Sequence, residues 1–141
     1  GQYDNTLDSK NRVNIPVKFR KALDPINDKT FVVTRGFDRC IVLYPLYQWN
    51  IVEQELASLS SIKNINRKFV RSIVRHASYV QYDKQGRVII PDSLKKFASV
   101  DKEVIIIGMI NKIEIWNPST IGEEENLPDD SFDDLANDIS F

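Results

Sequence analysis

Apolar runs that alternate with short polar breaks predict two β-hairpins, one in each half of the chain. The first spans residues 31–45 and the second residues 104–117. Gly36 and Gly108 lie in the breaks, at an offset of 72 residues, and each second run ends in an aromatic residue, Tyr44 or Trp116. Two apolar runs joined by a Gly-containing turn are typical of a hairpin.

Helical periodicity appears between the hairpins and predicts two helices after Pro45. The apolar positions are Trp49, Val52, Leu56 and Leu59 in the first helix, and Ile65, Phe69, Val70, Ile73, Val74 and Ala77 in the second. Their spacing of three and four residues places them on one helix face. Arg67, Arg71 and Arg75 lie at four-residue spacing on the second helix. These arginines are either solvated, paired with Glu53 and Glu55, or in contact with nucleic acid.

A nine-residue motif occurs twice, from Asp8 to Pro16 and from Asp83 to Pro91, at a constant offset of 75. In each copy the aspartate opens a tight turn that Asn11 or Gly86 completes at positive φ. A strand beginning at Arg12 or Arg87 follows. Proline then suits the first turn of a short helix, predicted over 17–23 and 92–98.

These elements predict an α+β fold that contains an internal duplication. We expect one domain over residues 1–122, made of two tandem repeats, 1–62 and 63–122, that share one hydrophobic core. Residues 123–141 form an acidic C-terminal tail.

Charge is distributed unevenly although the net charge is only −1. Residues 1–112 hold all 19 Lys and Arg, whereas residues 113–141 hold nine acids and no base. A basic body predicts an anionic partner such as DNA. The tail either keeps the protein soluble or contacts the basic surface. Its residues Phe132, Leu135 and Ile139 have helical spacing and allow a short docked helix.

Catalytic, metal-binding and cofactor-binding patterns are not evident in the sequence, so we expect no enzyme, no metal and no cofactor. We interpret Cys40 as a small buried thiol and His76 as a hydrogen-bonded structural residue. No apolar run approaches the ~18 residues of a membrane span, and no signal peptide is evident. A cytoplasmic protein with no membrane contact is expected.

The doubled motif, together with the segments at 42–46 and 75–78, resembles the bacterial MraZ family over roughly residues 2–122. The resemblance implies an AbrB-like swapped-hairpin barrel with intervening and terminal helices. It also implies a nucleoid-associated DNA-binding transcriptional regulator that forms homo-oligomeric rings. Such regulators act on repeats upstream of their own division and cell-wall gene cluster. The family usually has Gly where this chain has Asn11, and a few residues ahead of Gly1.

On this resemblance, the motif residues predict the double-stranded DNA contacts. The candidates are Lys10, Arg12, Lys84 and Arg87 at the turns, and Lys18, Arg20 and Lys21 as flanking phosphate contacts. Arg12 is the favoured base reader, followed by Arg87, because arginine can bind guanine through two hydrogen bonds. The aspartates, Asn11 and Gly86 are expected to form the turns. In the alternative, each arginine pairs with its own Asp8 or Asp83 and only holds the turn.

Two other functions remain open on the sequence. One is an antitoxin-like protein whose acidic tail binds a toxin while the basic body binds DNA. The other is an enzyme of cell-wall or nucleic-acid metabolism.

Overall fold

Eight strands and six helices occur in residues 1–21, 29–126 and 129–139, which the computed structural model describes. The strands are β1 (Gln2–Thr6), β2 (Arg12–Asn14), β3 (Thr30–Arg35), β4 (Ile41–Pro45), β5 (Ser78–Gln81), β6 (Arg87–Ile89), β7 (Glu103–Met109) and β8 (Lys112–Trp116). The helices are α1 (Val17–Lys21), α2 (Leu46–Ala57), α3 (Asn64–Val74), α4 (Asp92–Phe97), α5 (Pro118–Glu124) and α6 (Asp129–Asp138). The predicted α+β class is therefore confirmed.

Strand pairing joins the first half of the chain to the second. One antiparallel sheet has the order β1-β7-β8-β4-β3-β5, and a separate two-stranded ribbon pairs β2 with β6. Only the hairpins β3–β4 and β7–β8 pair within a half, whereas β1–β7, β4–β8, β3–β5 and β2–β6 pair between halves. Both predicted hairpins are present, but Gly108 lies within β7, paired with Ile113, and the second turn is at residues 110–111.

The larger sheet is not closed into the predicted barrel. Among the described strands, β1 and β5 are the two ends of the sheet order and do not pair with each other. The ribbon is a sheet of its own, since β2 and β6 are hydrogen-bonded only to each other among the described strands. The swapped-hairpin assignment itself stays a prediction.

Both faces of the central strands are buried. Along β3, Phe31 and Val33 enter a cluster with Val13 and Val88 of the ribbon and Leu94 of α4. The intervening residue of β3 enters a second cluster, whose buried members are Val32, Cys40, Val42, Tyr44, Trp49, Leu56, Ile73 and Trp116. Successive strand residues point to opposite faces. The β2–β6 ribbon therefore covers one face of the sheet, and α2 and α3 cover the other.

The two predicted long helices are present but end earlier than the apolar pattern. Leu59 lies beyond the end of α2, and Ala77 lies beyond the end of α3. On α3 only Ile73 is fully buried, while Ile65 is 71% exposed. The predicted pairing of the α3 arginines with Glu53 and Glu55 is wrong, because no ion pair among the described residues involves them.

Smaller predictions have mixed outcomes. Cys40 is buried, and its removal from water raises the pKa of its thiol. His76 Nδ1 lies 2.8 Å from the Ser72 carbonyl oxygen, as expected for a structural histidine. The tail does form a helix, α6, but its Phe132 and Leu135 are more than half exposed and are not docked. Leu23, the predicted end of the first short helix, lies outside the described residues.

Candidate nucleic-acid interface

The first Asp-x-x-x-Arg motif forms a tight turn held by the Asp8 carboxylate. Its Oδ1 accepts hydrogen bonds from the backbone N–H groups of Lys10 and Arg12, both at 2.9 Å. The backbone closes the turn through Asn11 N–H to the Asp8 carbonyl at 3.0 Å. Asn11 has φ of 60°, a conformation that asparagine tolerates better than most residues. Asp8 and Asn11 thus both take part in this turn.

The second motif repeats this geometry. Asp83 Oδ1 accepts from the N–H groups of Gln85 and Arg87, both at 2.9 Å, and Gly86 N–H donates to the Asp83 carbonyl at 2.9 Å. Gly86 has φ of 78°, where glycine carries no steric penalty. Both copies thus use the same hydrogen bonds, with Asn in one and Gly in the other at the left-handed position.

The β2–β6 ribbon relates the two turns by an approximate two-fold axis through Val13 and Val88, which face each other in the register. Ile15 N–H donates to the Gly86 carbonyl and Ile90 N–H donates to the Asn11 carbonyl, both at 2.8 Å. Each turn is therefore tied to the strand that leaves the other turn. The two valines point into the core, so Arg12 and Arg87 are on the outer face.

Each motif arginine forms an ion pair with its own aspartate. Arg12 Nε lies 2.7 Å from Asp8 Oδ2, and Arg87 Nε lies 2.9 Å from Asp83 Oδ2. Arg87 Nη1 also approaches Asp8 Oδ2 at 3.9 Å, across the ribbon. The alternative in which arginine holds the turn therefore describes these contacts. DNA contact by the same side chains stays a prediction.

The terminal nitrogens of the two arginines differ in their surroundings. Arg87 Nη2 donates to Gln85 Oε1. Within the described chain, the Arg12 side chain donates its hydrogen bond through Nε, and its Nη atoms have no hydrogen-bond partner. Both arginine side chains are 27% exposed. Arg12 is thus the arginine whose outer edge is more available to a ligand.

The turn hydrogen bonds favour the ionised form of both aspartates. The pKa of Asp8 falls from 3.8 to about 2, chiefly because the Arg12 backbone N–H bonds to the carboxylate. The Arg12 side chain adds to this lowering, and partial desolvation opposes it. The Arg87 backbone N–H lowers the pKa of Asp83 in the same way.

The predicted lysines are exposed, whereas Arg20 has internal contacts. Lys10 and Lys84 lie in the turns, and Lys18 and Lys21 lie on α1. Arg20 Nε donates to the Ile15 carbonyl at 2.9 Å, and its guanidinium lies 5.7 Å from the Tyr82 ring centroid. A Cβ on Gly86 would meet the Arg20 Cζ at 2.5 Å. The structure therefore gives Arg20 a packing role beside the second turn.

Two basic residues of the second half were missed in the sequence. Lys95 and Lys96 on α4 are the equivalents of Arg20 and Lys21 at the motif offset of 75. Lys95 Nζ donates to Asn11 Oδ1 at 2.8 Å, and Asn11 Nδ2 donates to Asp92 Oδ1 at 2.9 Å. Extending the offset beyond the proline would have found both lysines.

Comparison with known proteins matches two segments of the chain, and each segment contains one copy of the motif. A family model described as "MraZ protein, putative antitoxin-like" matches residues 1–72 and 73–121. The chain belongs to the MraZ family. The transcriptional regulator MraZ of Pediococcus pentosaceus is 43% identical over 139 residues, covering 99% of this chain and 94% of the relative. That of Halothermothrix orenii is 40% identical over 136 residues, covering 96% and 92%.

Both MraZ relatives are named as regulators of transcription and not as enzymes. Among the described residues of this MraZ-family chain, no helix has the length and apolar character to cross a membrane. Across the same ranges, no group of three or more His, Cys, Asp or Glu residues could hold a metal ion.

Replacing Gly86 with alanine should destabilise the protein by about 1–3 kcal/mol, because the new Cβ meets Arg20 and the backbone is left-handed. Urea unfolding monitored by circular dichroism measures the change. Gly122→Ala is the matched control. Outside its own helix backbone and its chain neighbours, no atom of the described residues lies within 4 Å of that Cβ position in α5, so this variant should gain about 0.5–1 kcal/mol. Equal effects of the two substitutions would contradict the account of the second turn.

Acid should remove the contribution of the Asp8 carboxylate to stability. Because folding lowers its pKa from 3.8 to about 2, this contribution is present at neutral pH and is lost as the pH falls towards about 2. We expect Asp8→Asn to lower the urea midpoint at about pH 6 and to have little effect at about pH 2. A midpoint difference that stays constant over this range would show that ionisation of Asp8 does not matter.

Proposed function

We propose that this MraZ-family chain is a sequence-specific DNA-binding transcriptional regulator, and that the outer face of the β2–β6 ribbon contacts DNA. One observation carries the proposal. Two turns with the same hydrogen bonds lie at the two ends of a single ribbon, and each presents an arginine on the outer face. The names of the relatives support a role in transcription.

Charge around the ribbon favours an anionic partner. The two motifs and the short helices after them, residues 8–21 and 83–97, contain nine Lys and Arg but only three Asp. Two of the three aspartates are neutralised locally by Arg12 and Arg87. Exposed lysines of this kind contact phosphates and supply affinity that depends on salt but not on sequence. We assign this role to Lys10, Lys18, Lys21, Lys84 and Lys96.

We assign the main role in base recognition to Arg12. The Asp8 carboxylate holds its Nε, which limits the orientation of the guanidinium and leaves the Nη atoms without a hydrogen-bond partner among the described residues. A guanidinium in this state can donate two hydrogen bonds to guanine O6 and N7. Arg87 is the second reader, since its Nη2 must first leave Gln85. Arg20, which packs on Gly86 and Tyr82, positions the second turn in this scheme.

The family resemblance extends the proposal to assembly and target. We propose one swapped-hairpin domain over residues 1–122, made of two tandem repeats and followed by the acidic tail. Copies of it form a homo-oligomeric ring in the cytoplasm at the nucleoid. The ring reads repeats upstream of its own division and cell-wall gene cluster. Because each copy offers few base contacts, adjacent copies on adjacent repeats raise the affinity by ~10²–10⁴ if the spacing fits.

An antitoxin role is the second candidate, and the description of the matching family as antitoxin-like favours it. In that role the ribbon still binds DNA, and the acidic tail binds a toxin partner. Co-purification of a small toxin with the intact chain would support it. An unpartnered chain with full DNA-binding activity favours the regulator.

Arg12→Lys should reduce sequence discrimination more than total affinity, because it keeps the charge and loses the two-pronged contact. Fluorescence anisotropy with a duplex from upstream of the gene and a shuffled duplex measures both quantities. We expect the difference in binding free energy between the duplexes to shrink by about 1–3 kcal/mol.

Lys18→Ala is the control for that experiment. It should weaken binding to both duplexes equally and lower the slope of log affinity against log salt by about 1. Circular dichroism of both variants checks that the fold is retained. Discrimination that survives in Arg12→Lys would remove Arg12 from sequence readout.

Inserting about half a helical turn, roughly 5 base pairs, between two repeats should weaken binding severely. The insertion places the second repeat on the opposite side of the duplex, so one rigid assembly cannot contact both repeats. Insertion of a full turn, about 10 base pairs, is the control and should largely restore binding. Equal affinity for both duplexes would exclude the avidity of a ring.

A further inference from the structure

A groove between α2 and α3 exposes apolar side chains on the face of the sheet opposite the ribbon. Leu56 forms its floor and Val70 one half-buried wall. Leu59 and Val74 line its opening and are 39% and 50% exposed. Apolar area of this kind in the cleft between two helices is typical of a site that receives a third helix.

The opening of the groove is basic. Arg67 and Arg71 of α3 line it, and no acidic residue does so among the described residues. Arg67 donates to the carbonyls of Ser61 and Ile62, at 2.9 and 2.7 Å, so its charge stays without a carboxylate. The three ion pairs of the described chain all lie at the ribbon. The groove therefore suits a segment that is apolar on one face and acidic elsewhere.

Helix α6 has this composition. Phe132 and Leu135 lie on one face of α6, and Ile139 follows directly after its last residue. The three side chains are 64%, 61% and 55% exposed. The helix itself contains five aspartates and no base. A helix of 10 residues is marginal in water without a packed face. In the described part of the single chain, these apolar side chains are thus more exposed than buried.

We infer that α6 of one copy docks into the α2–α3 groove of a second copy of this chain. The lengths match, because α6 has 10 residues and α3 has 11, so each helix is about 15 Å long. The apolar face of α6 covers Leu59, Val70 and Val74. The flanking aspartates, Asp133 and Asp138, then lie near the two arginines.

The sheet order favours a second copy over the same chain. Helix α5, which precedes α6, packs on β7, whereas α3 packs on β3. Strands β8 and β4 lie between β7 and β3, a separation of about 14 Å, and α2 covers β4 and β3. To reach its own groove, α6 would have to pass over α2. A groove that accepts a different element of the next copy propagates as a ring or a filament.

Cysteine pairing between separate chains tests the docking. A tagged full-length Val74→Cys chain is mixed with an untagged Leu135→Cys chain and mildly oxidised. A disulfide-linked pair of tagged and untagged chains is expected on a non-reducing gel. Asn137→Cys, on the opposite face of α6, is the matched control and should yield at least about fivefold less. Cys40 stays in every chain because it is buried.

A chain that carries both Val74→Cys and Leu135→Cys distinguishes docking of α6 from another copy from docking of α6 of the same chain. A crosslink between copies supports the inference. A crosslink that forms only within one chain, as a faster-migrating monomer, overturns it, and so does the absence of any crosslink above the Asn137→Cys control.

Self-association of full-length chains gives an independent measurement by sedimentation equilibrium. Leu135→Asp should weaken it about tenfold or more, as expected when one buried leucine is lost from a contact. Asn137→Asp adds the same charge on the other face and should leave it unchanged. Equal self-association of the two variants overturns the inference.

The docking supplies one contact for the proposed homo-oligomer but does not depend on DNA binding. A duplex with a single repeat separates the two proposals. Leu135→Asp should bind this duplex as the wild type does, because the ribbon lies on the other face of the sheet. Loss of sequence discrimination in Arg12→Lys with intact crosslinking concerns the ribbon alone.

Discussion

The antiparallel pairing of β2 with β6 is the contact on which the candidate interface depends. Each strand has only three residues, which is too short for an isolated two-stranded ribbon to be stable in water. The ribbon persists because Val13 and Val88 are almost completely buried against the larger sheet. Its outer face is therefore held by the core beneath it. The packing of these two valines therefore fixes the backbone positions of Arg12 and Arg87.

Four of the six strand pairings in the described chain join one half to the other. The edges of each hairpin are covered by strands from the other half, as in β1 with β7 and β5 with β3. Pairing of this kind removes exposed hydrogen-bonding groups that each half would leave open if it folded alone. A destabilising substitution in one half should consequently destabilise the turn in the other half as well.

Local features of the fold could be predicted from the sequence, because they depend on neighbouring residues. Asp8 with Asn11, and Asp83 with Gly86, encode the two turns within four residues each. The hairpins and the start of α2 after Pro45 follow in the same way. The open order of the sheet could not be predicted, because it depends on which distant strands meet. The resemblance led instead to a barrel.

The candidate site was predictable to a similar degree. The offset of 75 locates the turns and both arginines, but the contacts of Arg20 and Lys95 depend on how each short helix meets the opposite turn. Arg20 packs on Gly86, whereas Lys95 binds the side chain of Asn11. The two helices therefore meet equivalent positions of the opposite turns, and the contacts differ because one turn has Gly86 where the other has Asn11.

The two ends of the ribbon are consequently not the same. Where one end presents the amide of Asn14, the equivalent position at the other end presents Ile89, which is 57% exposed. A perfectly two-fold surface would fit a duplex equally well after a half rotation and would favour palindromes. With one polar end and one apolar end, this surface has a direction. In the proposed DNA complex, such a surface would distinguish head-to-tail repeats from inverted ones.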